Sequence, residues 1–391
     1  MSETGSQPCA IRLAIAGGGT GGHVHPALAV VEELRGRDLV ADLLWIGSES
    51  GVEREAAARL GIPFQSVQTG KLRRYFSIQT LTDAGRLPLG IGQARQLLSR
   101  FRPDVVFSTG GFVSVPSVVA AKGLAPVVTH EQTAVLGLAT RINARFADVL
   151  AVSWDDTAVL ARAIHRRVVV TGNPVRESLN EGVGDRGLVA FGFSTDLPLL
   201  YVTGGARGAS PLNTRLEQLL PELLEHCQVL HQTGPQSAND DGQRLLARRA
   251  EWPVRLRERY HPIEFVGSEL PDVYAAADLI LGRAGAGTVA ELSYLGKPAI
   301  LIPLPGAGGD EQTRNARILA DLGGAVLIPQ EHATPGLLRH TIIDLVTDQA
   351  RRKTMSESAA MAGKLDASAR LVDVLLDVCG RRPGRRNASG R

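Results

Sequence analysis

The sequence predicts an α/β protein built from two doubly wound parallel-sheet domains. Three observations carry that expectation. The chain has 391 residues, and at roughly 100–200 residues per domain this suggests about two or three domains. Short, continuous apolar runs end in Gly or a small polar residue, and each is followed by a longer helical stretch. Finally, the two halves open alike: Leu13-Ala14-Ile15-Ala16 runs into Gly17-Gly18-Gly19, and Leu200-Tyr201-Val202-Thr203 runs into Gly204-Gly205.

The first-half runs are 12–16, 41–47, 104–108, 125–129, 149–152 and 167–171. Those of the second half are 197–203, 228–232, 263–266, 279–282, 298–303 and 325–328. Unbroken apolar runs of this length suit strands buried on both faces. Alternation with helices of about ten to fifteen residues implies βαβ units and parallel sheets. Residues 1–10 are expected as a flexible start, 11–180 as the first domain and 198–380 as the second. Residues 181–197, with several Gly and Asp and weak periodicity, are expected as the linker. Residues 381–391 hold five arginines among Pro, Gly, Ser and Asn and are expected as a disordered basic tail.

Composition excludes several classes. Apolar residues are 44% and charged residues 21%, so whole-chain disorder and collagen-like repeats are ruled out. A net charge of +3 argues against a general nucleic-acid binder, which carries a basic stripe. Cys9, Cys227 and Cys379 are too scattered for a disulfide framework or a zinc ribbon and suit free thiols in a reducing cytoplasm. No apolar segment follows a basic start at the N-terminus, and no run of about 18 apolar residues occurs, so neither a secretory signal nor a membrane span is expected.

The sharpest local signal is Gly17-Gly18-Gly19-Thr20-Gly21-Gly22-His23, between a buried strand and a helix expected from about Pro26 to Arg35. Glycines let backbone approach a ligand without a Cβ, and a helix N-terminus attracts phosphate. Gly17, Gly19 and Gly22 also match a dinucleotide fingerprint. Its confirming acidic residue at the end of the second strand is not in place, since Glu49 lies past the turn. His23 sits where a general base could reach an acceptor hydroxyl, with a proton affinity suited to neutral pH. His25 has no nearby carboxylate or cysteine to complete a metal set. Further glycine turns follow later strands at Gly110-Gly111-Phe112, at 204–208 and at 282–287. Glu291, about one turn into the last of these helices, could accept bonds from two vicinal ribose hydroxyls. The cluster 310–315 is too polar to be core and reads as a loop and helix start that could touch a sugar.

Together these motifs resemble the MurG family. They comprise the 17–23 loop with Pro26, Gly110-Gly111-Phe112-Val113-Ser114, His130-Glu131-Gln132, Gly172-Asn173-Pro174-Val175-Arg176, Gly204-Gly205 with Gly208, the stretch 283–291 and the 310–315 cluster, all in family order. The resemblance implies the GT-B fold of two Rossmann-like domains, with ligands in a cleft between them. It implies transfer of N-acetylglucosamine from UDP-N-acetylglucosamine to the polyprenyl-pyrophosphate-linked muramyl-pentapeptide, lipid I, giving lipid II in peptidoglycan synthesis. On the donor side it implies Thr20, Gly21, Gly22, Thr133, Arg176, Ala206, Val266 beside the uracil, Arg283, residues Ala286, Gly287, Thr288, Val289 and Ala290 around the nucleotide, and Glu291 on the ribose. Gln312 and Asn315 would hold sugar hydroxyls. On the acceptor and diphosphate side it implies Gly18, Gly19, Gly110, Gly111, Phe112, His130 and Glu131, with His23 as the base.

Three positions depart from the family pattern: Thr133 for an Asn, Ala206 for a Ser, and Gly287 for a Leu. They leave a MurG-like transferase with a secondary-metabolite acceptor as the alternative. The sequence contains no Asp-x-Asp metal motif. Neither a metal nor another cofactor is therefore expected, and helix N-termini, backbone N–H groups and a cation such as Arg283 are expected to stabilise the leaving diphosphate. The product is expected to be β-linked by inversion. Residues 71–102 carry Lys71, Arg73, Arg74, Arg86, Arg95, Arg100 and Arg102 against Asp83 alone, with Tyr75 and Phe76 as apolar anchors. That mixture suits the anionic cytoplasmic surface of a cell membrane, on which the enzyme would be peripheral.

Overall fold

A computed structural model describes residues 10–49, 51–69, 78–306 and 308–380. The chain divides into two compact units, one formed by residues up to Arg176 together with those from Leu365 onward, the other by Glu177–Lys364.

In the first unit the order is β1 (Ile11–Gly17), α1 (Gly21–Gly36), β2 (Val40–Gly47), α2 (Glu53–Arg59), β3 (Phe64–Ser66), α3 (Ile78–Phe101), β4 (Val105–Gly110), α4 (Val115–Ala121), β5 (Val127–Glu131), α5 (Leu138–Asn143), β6 (Val149–Val152), α6 (Asp155–Arg162) and β7 (Val168–Val170). The seven strands form one sheet in the order β3-β2-β1-β4-β5-β6-β7, and every pairing is parallel. Strand β1 shows why its run is continuous. Ile11, Leu13 and Ile15 join a cluster with α1, whereas Ala14 and Ala16 face the opposite cluster with Ala94 and Leu98 of α3. Both faces are covered, so both parities are apolar. Strand β3 was not expected, because Phe64-Gln65-Ser66 is short and has a single apolar residue.

The second unit begins with a 3-10 turn at Glu177–Glu181 and α7 (Gly184–Ala190). It continues through β8 (Leu199–Thr203), α8 (Ser210–Glu217), α9 (Leu220–Leu223), β9 (Gln228–Gln232), α10 (Asp241–Ala250), α11 (Val254–Glu258) and β10 (Tyr260–Ile263). After these come α12 (Leu270–Ala276), β11 (Leu279–Gly282), α13 (Ala286–Leu295), β12 (Ala299–Leu301), α14 (Glu311–Ala320), β13 (Ala325–Leu327), α15 (Pro335–Thr347) and α16 (Gln349–Ala362). Six parallel strands are ordered β10-β9-β8-β11-β12-β13. Strand β10 lies three residues before the apolar run 263–266 that suggested it. It takes in Pro262 at the sheet edge, where a missing N–H costs no ladder bond.

Two expected boundaries move. Residues 181–197 are not a bare linker: they carry α7, which packs on α12. A Cβ on Gly182 would lie 2.0 Å from the Pro271 carbonyl oxygen, so this glycine serves close backbone approach rather than slack. Asp272 accepts from the Val183 N–H at 2.7 Å and pairs with Arg186 at 2.8 Å. The last helix, α17 (Ala367–Gly380), packs on the first unit, not the second. Its apolar stripe, Leu371, Val372, Leu375, Val378 and Cys379, completes the cluster of α1 and β1. Arg37 pairs with Asp373 at 2.8 Å beside it. Cys227 and Cys379 are buried, and burial pushes the Cys227 thiol up to about 12. Cys9 and the tail 381–391 lie outside the described residues.

Candidate functional site

In a doubly wound sheet, ligands bind beyond the carboxyl ends of the strands where the strand order reverses. That reversal falls between β1 and β4 in the first unit and between β8 and β11 in the second. The glycine turns sit at these two points, so each unit carries a candidate half-site.

In the first unit, α1 begins earlier than expected. Thr20 is its N-cap and its carbonyl accepts from the His23 N–H at 3.1 Å, which puts Gly21, Gly22 and His23 in the first helical turn. Gly19 and Thr20 are exposed, while Gly18 is buried. Under the loop lies Glu53, fully buried. Its carboxylate accepts from the Gly19 N–H at 2.8 Å and from the Ser48 N–H and hydroxyl, each at 2.7 Å. A Cβ on Gly18 would fall 2.2 Å from that carboxyl carbon.

His23 is half-buried and oriented by its Nδ1, which lies 2.8 Å from the Thr109 carbonyl oxygen and 3.2 Å from Gln132 Oε1. Both partners are acceptors, so Nδ1 carries the proton and Nε2 is the basic nitrogen. Gly111 leaves room for the ring: it has φ +73, and a Cβ there would lie 3.0 Å from His23 Cδ2. The turn is braced from below. Asn143 donates to Ser114 Oγ at 2.8 Å and to Ser108 Oγ at 3.2 Å, and Ser114 Oγ donates to the Gly111 carbonyl at 2.8 Å. Gly110 is buried, and Phe112 is half-buried.

His130 and Glu131 do not offer the acceptor surface expected of them. His130 is 0% exposed. Its Nε2 donates to the Gly172 carbonyl at 3.0 Å, and its Nδ1 accepts from Gln132 at 3.1 Å. Burial pushes its pKa down to about 4, against the opposing pull of the Gly172 bond. Glu131 is turned into its own loop, accepting from Thr133 Oγ1 at 2.9 Å and from the Gly137 N–H at 3.0 Å. Both side chains are spent on local bonds, because strand β5 ends inside the sheet and its last side chains are covered. Arg176 is half-buried and near Glu32 of α1, whose carboxyl is raised by burial and pulled back by that guanidinium.

In the second unit, Ala206 and Arg207 are exposed at the tip of the first turn. Gln232, at the end of β9, ties that turn to the loop bearing Val266. Its Nε2 donates to Thr203 Oγ1 at 3.2 Å and to the Gly205 carbonyl at 3.1 Å, and its Oε1 accepts from the Val266 N–H at 2.9 Å. The Val266 side chain is only 1% exposed, whereas Phe265 beside it is 52% exposed. With its N–H also given to Gln232, Val266 departs from the expected place beside a uracil, because the residue is covered.

Arg283 corrects the expectation of a phosphate-facing cation. It is 7% exposed and donates to the Ile302 and Pro303 carbonyls at 3.0 and 3.1 Å and to Gln330 Oε1 at 2.6 Å. Its guanidinium pins the ends of β11 and β12. Asn315 likewise departs from the expected solvent-facing cluster. It is 1% exposed and donates to the Ala284 carbonyl at 3.1 Å, holding the β11–α13 turn. Gln312 is half-buried and accepts from the Leu304 N–H at 2.9 Å. On α13, Ala286, Gly287 and Thr288 are half-exposed, while Val289 and Ala290 face the core. A Cβ on Gly287 would meet nothing within 4 Å. Glu291 is half-buried, and Tyr274 donates to its Oε2 at 2.8 Å. Lys71, Arg73, Arg74, Tyr75 and Phe76 lie outside the described residues.

Comparison with known proteins decides the family. Residues 13–152 match the glycosyltransferase family 28 N-terminal domain, and residues 199–371 match its C-terminal domain. A protein of Treponema denticola named UDP-N-acetylglucosamine--N-acetylmuramyl-(pentapeptide) pyrophosphoryl-undecaprenol N-acetylglucosamine transferase is 38% identical, over 90% of this chain and 94% of that protein.

The chain belongs to the MurG family of glycosyltransferases.

A like-named relative from Listeria monocytogenes is 35% identical over 94% of this chain and 99% of its own. The crystal structure of Acinetobacter baumannii MurG superposes with a TM-score of 0.70 at 27% identity, covering 94% of this chain and 99% of that one. The fold is thus the GT-B fold that the motifs implied. Among the described residues of this MurG-family chain, no group of three or more His, Cys, Asp or Glu side chains is placed to hold a metal ion, and no helix is long and apolar enough to cross a membrane. Sequence reasoning missed Glu53 and Gln232. Glu53 carries no local signal. Gln232 is a polar residue closing an apolar strand, a pattern that can mark a loop anchor. Gln132 stood inside a quoted motif without a role.

Proposed function

We propose that this glycosyltransferase moves N-acetylglucosamine from UDP-N-acetylglucosamine to lipid I and so makes lipid II. The observation that carries this reading is 38% identity, along nearly the whole chain, to a relative named for that reaction. The half-sites support it. In the second unit, Gly204 and Gly205 with exposed Arg207, together with the half-exposed start of α13, suit a nucleoside diphosphate. Glu291, steadied by Tyr274, suits the ribose. In the first unit, the exposed Gly19 and Thr20, the start of α1, and Gly111 with Phe112 suit the acceptor.

Chemistry at the anomeric carbon needs a base for the attacking hydroxyl and stabilisation of the departing UDP. His23 Nε2 is the base: it takes the proton as the new C–O bond forms and the bond to the β-phosphate oxygen breaks. A single displacement inverts the centre and leaves a β-linked product. The growing negative charge on the diphosphate falls to backbone N–H groups at the α13 N-terminus and to exposed Arg207, since Arg283 is engaged elsewhere. The basic segment 71–102 is the surface that meets anionic lipid on the cytoplasmic face of the membrane.

The test is product formation from lipid I with a panel of UDP-sugars, in EDTA and with divalent ions, followed by linkage analysis. A β-linked N-acetylglucosaminyl product, formed equally in EDTA, is the expected result. Inactivity on lipid I with turnover on a soluble natural-product acceptor would overturn the acceptor. Activity only with added metal would overturn the stabilisation by backbone and Arg207. For the membrane surface, replacing Lys71, Arg73 and Arg74 by Glu abolishes salt-sensitive binding to anionic vesicles, and unchanged binding would reject this segment.

A further inference from the structure

Three buried groups behind His23 form a directional chain. It begins at the Gly172 carbonyl, which lies 3.0 Å from His130 Nε2. A carbonyl oxygen can only accept, so Nε2 carries the His130 proton and Nδ1 presents a lone pair. That lone pair faces the Gln132 side-chain nitrogen at 3.1 Å. The same Gln132 nitrogen also lies 2.9 Å from the Thr109 carbonyl oxygen and 3.2 Å from the His130 carbonyl oxygen. Three acceptors around one end of the amide leave a single orientation. A flipped amide would point its oxygen at all three.

With the NH2 end so fixed, Gln132 Oε1 is the end that faces His23 Nδ1, at 3.2 Å. The backbone is held as well, because Trp154 Nε1 donates to the Gln132 carbonyl at 3.3 Å. Gln132 is 1% exposed and His130 is 0% exposed, so water does not compete for these groups. His23 Nδ1 then meets only acceptors, Gln132 Oε1 and the Thr109 carbonyl, while its Nε2 makes no hydrogen bond among the described residues.

We propose that Gln132, oriented by a neutral His130, is a positioning residue that acts with the Thr109 carbonyl to hold His23 as the Nδ1–H tautomer and so keeps Nε2 unprotonated and available as the base. The inference rests on His23 being the base, but its geometric content does not. An imidazole in the other tautomer offers an N–H where the attacking hydroxyl needs a lone pair, and turnover falls while donor binding in the other unit is untouched. Neither His130 nor Gln132 exchanges a proton in the cycle. They act through the ring they orient.

The experiment uses the full chain with 15N-labelled histidine, whose long-range 1H–15N spectra report which ring nitrogen is protonated. The His23 signals are identified by their loss in His23→Asn. The wild type is expected to show one His23 tautomer, with the proton on Nδ1; a proton on Nε2 in the wild type overturns the proposal without any variant. Gln132→Met, matched in length but without an acceptor, is expected to show a mixture of tautomers. It is also expected to lose kcat by about tenfold or more, with the donor KM changed by less than about threefold. A Gln132→Met protein that keeps the Nδ1–H tautomer and a kcat within about twofold of wild type overturns the proposal. If the tautomer shifts as expected but His23→Ala still turns over normally, the positioning stands and the assignment of His23 as the base falls.

Discussion

The carboxylate of Glu53 accepts the backbone N–H of Gly19 at 2.8 Å, from a fully buried position beneath the first glycine turn. One carboxylate thereby ties the turn after β1 to the turn after β2, because Ser48 gives it both its N–H and its hydroxyl. A buried carboxylate without a cation is tolerated when donors surround it. Glu53→Ala removes their acceptor and leaves backbone N–H groups unpaired. The first unit is expected to lose about 2–4 kcal/mol of stability. Urea unfolding followed by a probe in that unit measures this, and a midpoint within error of wild type would remove Glu53 as the anchor.

His23→Ala is expected to lower kcat by about 10²–10⁴ while leaving donor KM nearly unchanged. The ring packs over Gly111 and bonds Thr109, so thermal unfolding is measured alongside to separate catalysis from folding. A loss of less than about tenfold in a folded variant would take the residue out of proton transfer.

Arg283 is expected to matter for stability rather than for the leaving group. Arg283→Met strips donors from the Ile302 and Pro303 carbonyls and from Gln330, a cost of about 3 kcal/mol to the second unit. Assayed well below its unfolding temperature, the variant keeps UDP affinity within about threefold of wild type. A large loss of UDP affinity with unchanged stability would return this side chain to the phosphate.

Acid should weaken each unit through a different histidine. Burial lowers His130 to about 4 in the first unit and His231 to about 3 in the second, both from 6.5. The unfolded chain therefore binds these protons before the folded one does. Stability is full above about pH 6.5 and falls as the pH drops toward 4, by about 2 kcal/mol per histidine at pH 5. His231 sits between Tyr260 and Asn213, each at 3.0 Å, and has no acid partner among the described residues to keep it charged. Denaturation series at pH 7 and pH 5 check this, and unfolding midpoints that do not fall at pH 5 would contradict it.

Much of this protein was legible before folding because its information is local. Gly17, Gly18 and Gly19 after an apolar run, and Gly285 before α13, mark strand ends by a rule that needs only neighbouring residues. The order of the strands at the two reversals was not legible and came only from the structure. Roles that depend on what covers a side chain were not legible. Arg283 and Asn315 look like ligands in a polar motif, yet each is buried and bonded to backbone carbonyls. Glu53 comes 34 residues after the N–H it holds, and α17 returns from the far end of the chain to cover α1. Residue type and spacing determined the fold class, the family and the glycine turns at the strand ends. Tertiary packing alone decided which polar groups face solvent and which are spent on the scaffold, because burial and hydrogen-bond partners are set by contacts across the chain, not along it.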